Sequence, residues 1–285
     1  MAASLVWAFS FGLIKGYLVE YDPLVVAGVR LLISLLLFLP WLGRQRLPWS
    51  LGWRAAGLGG LQFGLMYCCY IASYRYLPAY GVAFFTIFTP LYVAWLHDAS
   101  GRRWRWRHSA AALLAVGGGW LVLGRELDLA TAWPGIVLLQ LANVCFAVGQ
   151  LGYRRLRRQP APEMSLLGWM YLGASVVTAL TCLFWADWTR ADFDGRAVLV
   201  LLYLGAVPTA IGFALWNKGA ASTRPGLLAV CNNLKIPLAV VCSWLIFGET
   251  AEYLRVLFSL TVLVAALFLA GRGDTDPPTQ QQNHH

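Results

Sequence analysis

Charge is what this sequence has least of. Only 12% of its 285 residues are Asp, Glu, Lys or Arg, whereas hydrophobic residues make up 59%. Soluble domains carry about 25% charged residues. The length alone would suggest two soluble domains, and the hydropathy excludes them in favour of a polytopic, all-α membrane protein. Acidic residues are especially sparse. All thirteen fall in loops, in the tail or at helix ends, and none lies at the middle of an apolar segment. Proton-coupled antiporters usually rely on a buried carboxylate, and cation-selective pumps use one as a counter-charge. Its lack argues against both and favours a carrier that runs down its substrate gradient. HExxH, GxSxG and an intramembrane aspartate pair are also missing, so no enzyme chemistry is indicated. No cysteine lies in a loop. Cys68, Cys69, Cys145, Cys182, Cys231 and Cys242 all sit inside apolar segments, which implies packing and neither a disulfide framework nor a metal site. No cleavable leader pattern precedes the first apolar segment. No cofactor is expected.

What is present is a series of apolar segments. Ten membrane helices are predicted, at 2–19, 24–42, 55–74, 79–97, 109–123, 134–152, 164–185, 198–217, 226–247 and 255–271. Several connections are very short, so successive helices must run antiparallel. The net charge of +9 comes from basic residues in short loops, which is a topology signal and not a nucleic-acid surface. With the N-terminus cytoplasmic, the inner loops hold fourteen Lys and Arg and the outer loops five. Both termini are therefore expected inside, with 272–285 a disordered cytoplasmic tail.

The stretch 224–249 organises the rest. It begins a helix at Pro225 and places Asn232, Asn233, Lys235 and Pro237 near the middle of an apolar span. Subtracting 147 maps Pro225 onto Pro78, Pro237 onto Pro90, Gly248 onto Gly101 and Gly271 onto Gly124. Subtracting 139 maps Phe146-Ala147 onto Trp7-Ala8 and Pro162 onto Pro23. The chain is read as two five-helix repeats, 1–130 and 131–271. An offset of five helices inverts the second repeat in the membrane, and inverted repeats are characteristic of secondary transporters with a midplane site.

The candidate site follows from what a midplane can tolerate. Lys235 costs roughly 3 kcal/mol at mid-membrane on insertion scales and should therefore face a cavity or a partner. No acid lies at its depth, so a substrate carboxylate would fit. Asn143, Asn232 and Asn233 supply neutral donors and acceptors, as do Gln62 and Gln140. Phe63, Tyr67, Tyr70 and Tyr74 recur on one helical face, and Phe84, Phe85, Phe88, Tyr92 and Trp95 form a second stripe. Tyr67, Tyr70, Phe88 and Tyr92 are the expected cavity wall, suited to a flat apolar substrate. Gly57, Gly59, Gly60 and Gly64, with 117–119, are expected to allow close helix packing. Pro90 and Pro237 are expected hinges, freeing the carbonyls of Thr86 and Asn233.

Trp7, Ser10, Phe11, Lys15, Pro23-Leu24 and Arg30, with Pro237, Gly248-Glu249 and the helix end at Gly271, resemble the EamA-type drug/metabolite transporter superfamily. Within it the chain looks most like the YddG-type exporters of aromatic amino acids. The resemblance implies a ten-helix carrier of small metabolites, here aromatic amino acids, in a bacterial inner membrane. Export without proton coupling is expected from the missing mid-membrane carboxylate, and alternating access from the matching prolines of the inverted halves. Lys15 and Arg30 match positions shared across the superfamily, which implies a structural role for them. Arg102 stands where the second repeat has Glu249, a departure that argues against a mechanistic Glu249. The expected partners are a small-molecule substrate and the lipid bilayer, with no nucleic acid, and a monomer suffices. The same fold would also suit a sugar-phosphate or nucleotide-sugar carrier or a proton-coupled drug exporter. A membrane enzyme or lipid scramblase is the non-transport alternative.

Overall fold

A backbone in hydrocarbon must satisfy its own hydrogen bonds, so apolar segments of this length become helices. The computed structural model describes residues 2–44, 47–101, 129–222 and Thr261, and among these there is no strand. Seven helical rods are described. Helix α1 is Ala2–Tyr17 and α2 is Pro23–Arg44. The α3 rod, Trp49–Ser73, contains a π-helical turn at Gly60–Leu65. The α4 rod, 79–101, is broken by a 3-10 turn at Thr86–Phe88. Helix α5 is Leu129–Leu156 and α6 is Glu163–Trp185. The α7 rod, 195–222, carries a second π-helical turn at Gly205–Ile211. Six of these rods, α2 to α7, are long and apolar enough to cross a membrane, and α1 is a shorter apolar helix. The expected spans 109–123, 226–247 and, Thr261 apart, 255–271 lie outside the described residues.

The outward faces confirm the solvent. Leu36 is 58% exposed, Leu183 68% and Leu199 68%, surfaces that a water-soluble protein would not leave open across whole helices. Trp49 and Trp53 mark one end of the bundle and Trp133, Trp185 and Trp188 the other, all exposed, as expected of membrane-interface aromatics.

Glycine sets the closest contacts. A Cβ at Gly173 would collide with the Ala56 backbone, and one at Gly59 with the Met170 backbone, so α3 and α6 touch main chain to main chain. Gly57 is different, because nothing approaches it within 4 Å. Its expected packing role is corrected: it faces open space.

Asp22 closes one end. Its carboxylate accepts the amides of Leu24 and Val25 at 2.9 and 3.2 Å, capping α2 just ahead of Pro23. It also accepts the amide of Asp187 at 3.3 Å and lies 3.6 Å from Arg75. Asp187, in the loop after α6, is held below the usual carboxylate range, first by the donating hydroxyl of Thr189. At the opposite end, Arg157 donates to the carbonyl of Ala161 at 3.1 Å and stands 3.9 Å from Glu163, tying α5 to the start of α6.

Candidate functional site

A cavity of about 560 Å³, its open mouth included, lies where α1, α2, α3, α4, α5 and α7 converge. Trp7 and Phe11 from α1, Tyr67 and Tyr70 from α3, Phe146 from α5 and Phe213 from α7 supply its aromatic wall. These rings lock one another in place. Trp7 and Phe213 have centroids 5.0 Å apart, and Phe11 meets Tyr70 edge-on at 6.2 Å.

The polar part of the wall is built on two irregular turns. In α7, Pro208 has no N–H to donate, so the ladder there widens. Side chains donate to several carbonyls at this turn. The Thr209 hydroxyl donates to Leu204 at 2.6 Å and Ser34 Oγ to Gly205 at 2.8 Å. Trp7 Nε1 donates to Pro208 at 2.9 Å, and Tyr171 Oη to Thr209 at 2.7 Å. The donors come from α1, α2 and α6 as well as α7 itself, so this turn ties the bundle together around the cavity. It fixes Thr209 Oγ1 beside Tyr67 Oη at 3.1 Å.

In α4, the 3-10 turn precedes Pro90. The amide of Thr89 turns to the carbonyl of Thr86, as the tighter i→i+3 pattern of a 3-10 turn requires. Asn143 Nδ2 donates to the carbonyl of Phe85 at 2.9 Å, and Thr89 Oγ1 donates to Asn143 Oδ1 at 3.0 Å. The expectation that Pro90 would free the Thr86 carbonyl is therefore corrected. Tightening of the turn keeps the Thr86 carbonyl paired with the Thr89 amide, and the carbonyl that receives a side-chain donor is that of Phe85.

Arg30, expected to be structural, reaches the cavity wall. It is 1% exposed, yet its Nη2 donates to Tyr67 Oη at 3.2 Å and Thr209 Oγ1 at 3.1 Å. Its guanidinium carbon lies 4.5 Å from the centroid of the Tyr67 ring. Lys15 is used differently. Its Nζ donates to the carbonyls of Tyr74 and Leu77 at 3.1 and 3.3 Å, at the end of α3, as the expected structural role requires.

Of the expected site residues, the fold brings Tyr67, Tyr70 and Asn143 to the cavity. Phe88 and Tyr92 are not on its wall. Phe88 stacks on Phe85 at 6.4 Å, and Tyr92 donates to Gln140 Oε1 at 3.1 Å. Gln140 in turn accepts from Asn143 Nδ2 at 3.2 Å, so Tyr92 supports the cavity through a relay of side chains. Asn232, Asn233, Lys235 and Pro237 lie outside the described residues. Sequence reasoning missed Pro208 and Thr209. A proline fourteen residues into an apolar helix was the available signal for both.

The EamA-like transporter family matches residues 1–124 and 133–271. A probable biotin transporter of Pseudomonas aeruginosa is 36% identical over 275 residues, covering 93% of this chain and 94% of its own. A biotin transporter of Salmonella typhimurium is 33% identical over 276 residues, with 93% and 90% covered. A probable amino-acid metabolite efflux pump of the same organism is 24% identical over 279 residues, with 93% and 91% covered. One solved crystal structure shares the fold with a TM-score of 0.73 at 20% identity, over 96% of both chains. The expectation of aromatic amino acid export is overturned here. Relatives at 32–36% identity over most of the chain are biotin transporters. The sugar-phosphate, nucleotide-sugar and drug-export alternatives gain no support either. Aromatic walls misled the sequence reading, because they suit any flat apolar body equally well.

Proposed function

The chain belongs to the EamA-like transporter family, and on that premise we propose that it carries biotin, or a close bicyclic carboxylate, across a bacterial inner membrane. The observation that carries the reading is similarity to biotin transporters along 93% of the chain. The cavity agrees with it chemically. Biotin has a flat, largely apolar bicyclic body, a ureido group rich in hydrogen-bond capacity and one carboxylate on a flexible chain. Aromatic rings and the Asn143 amide face the cavity and match the first two of these features.

The same reading extends to ten helices in two inverted halves, 1–130 and 131–271, with both termini cytoplasmic. In support, the π-helical turns at Gly60–Leu65 and Gly205–Ile211 fall at matching depths in α3 and α7, which begin at Trp49 and Gly195. Tyr67, Tyr70 and Asn143 are proposed as substrate contacts and Phe88 and Tyr92 as their supports. Asn232, Asn233 and Lys235 are proposed for the opposite wall on sequence grounds, with Pro90 and Pro237 as hinges.

Proteoliposomes holding the full chain test the function. Radiolabelled biotin should cross faster than in empty vesicles, and excess unlabelled biotin should suppress the signal. Movement of labelled phenylalanine or tryptophan without any movement of biotin would refute the reading.

A further inference from the structure

We propose that Arg30 is the carboxylate anchor of this cavity, so that the transported species is a monoanion held by a guanidinium from α2. The proposal rests on the reading of the cavity as the substrate site and assigns the one feature of biotin left unmatched above, its carboxylate.

The argument begins with the donor count. A guanidinium has five N–H bonds and no acceptor. In Arg30 only Nη2 is engaged, by Tyr67 and Thr209. Nε and both hydrogens of Nη1 are buried without a hydrogen-bond partner. Leaving a donor of a buried charged group unmade costs more than an ordinary buried polar group. Such an arrangement persists where a ligand completes it.

Charge points the same way. The described acids are Glu20, Asp22, Asp98, Glu163, Asp187, Asp192 and Asp194, and all stand at helix ends or in loops. No salt bridge reaches Arg30 from any of them. The cavity therefore holds a formal positive charge with no counter-charge among the described residues, enclosed by aromatic side chains. In such a low-dielectric enclosure an anion is attracted strongly, whereas a second cation is repelled.

The guanidinium is also held in position. It lies over the Tyr67 ring, and its Nη2 is fixed by two hydroxyls that bond to each other at 3.1 Å. One of these hydroxyls sits on the widened turn of α7 and the other on α3. A pre-positioned Arg loses little freedom when it binds a carboxylate. Arg30 thus links three helices around the ligand, and its burial in an apolar span is explained by binding as well as by packing.

The test compares acids with their own methyl esters on the purified full chain in nanodiscs. The probes are biotin, dethiobiotin, lipoate and phenylalanine, each beside its ester. The wild type should bind at least one acid about ten-fold or more tightly than its ester. Arg30→Gln should bring that ratio close to one while ester affinity stays within about three-fold, and Arg30→Lys should restore part of it. A wild type that does not discriminate acid from ester, or an Arg30→Gln variant that still does, overturns the proposal. If another acid is discriminated through Arg30 while biotin is neither bound nor transported, the anchor stands and the biotin reading falls. If the Gln variant no longer binds ester because it does not fold, the wild type decides. Phenylglyoxal modification mapped to the Arg30 peptide should be suppressed by the bound acid and not by its ester. An Arg30 adduct that no acid in the panel suppresses overturns the proposal.

Discussion

Asn143 explains how a single side chain can be both architecture and site. Its amide donates to the Phe85 carbonyl, accepts from Thr89 and lines the cavity. Asn143→Leu has similar volume but no donor, so the Phe85 carbonyl would lose its side-chain partner. Interhelical bonds in membranes are worth about 0.6 kcal/mol on average, whereas an unsatisfied buried group costs about 1–3 kcal/mol. The second figure governs here, because one substitution strips two bonds from a buried acceptor and a buried hydroxyl. The unfolding midpoint in detergent should fall by about 2–5 °C. An unchanged midpoint with normal biotin binding would mean that the break in α4 needs no support from α5. An unchanged midpoint with lost binding would mean that Asn143 serves the substrate alone. The Arg30 reading belongs to this scale too. An Arg eight residues into α2 was visible in the sequence, but its three idle N–H bonds depend on Tyr67 and Thr209, which lie 37 and 179 residues away.

At the level of elements, the contact between α3 and α6 is governed by the absence of side chains. Gly173→Ala would push a methyl into the Ala56 backbone, which cannot swing aside as a side chain would. Overpacking of this kind typically costs about 1–3 kcal/mol, and more where main chain must shift. Gly57→Ala, on the same rod as Ala56 but facing open space, should be neutral or slightly stabilising, because Ala forms helix better by about 1 kcal/mol. Size-exclusion profiles of fluorescent fusions compare them directly. Gly173→Ala should lose most of its monodisperse peak and Gly57→Ala should keep it. Equal profiles would mean that the two helices can part without cost. The elements themselves were largely legible. α2, α4 and α6 begin and end within a few residues of the segments expected from hydropathy, since apolar content is a local property. α3 and α5 run longer than expected, beginning at Trp49 and Leu129, because their ends are amphipathic and the hydropathy rule trims them. The widened turn around Pro208 was not legible. Its carbonyls are satisfied from α1, α2 and α6, and no local pattern specifies partners so far away in the chain.

For the whole molecule, the orientation of the bundle follows from charge. Arg154, Arg155, Arg157 and Arg158 cluster at the end of α5, whereas the loop after α6 carries Asp187, Asp192 and Asp194 around Arg190. A single apolar helix of 23 residues, Glu163–Trp185, separates the two groups. At 1.5 Å per residue it is about 35 Å long, enough to cross a hydrocarbon core of about 30 Å. Arg157 and Arg190 must therefore lie on opposite faces of the membrane if α6 crosses it. Positive residues stay on the cytoplasmic side during insertion, so the Arg157 end is expected inside. The native cysteines among the described residues are all buried, which keeps background labelling low. In intact cells, a membrane-impermeant maleimide should label Arg190→Cys at once and Arg157→Cys only after permeabilisation. Arg190→Cys perturbs little, since Arg190 gives its carbonyl to the Asp22 amide, whereas Arg157→Cys also removes the side-chain tie to Ala161 and Glu163. Labelling of both from outside would remove α6 from the membrane and with it the inverted relation of the two halves. Labelling of Arg157→Cys alone from outside would invert the whole bundle while leaving the cavity and its Arg30 untouched.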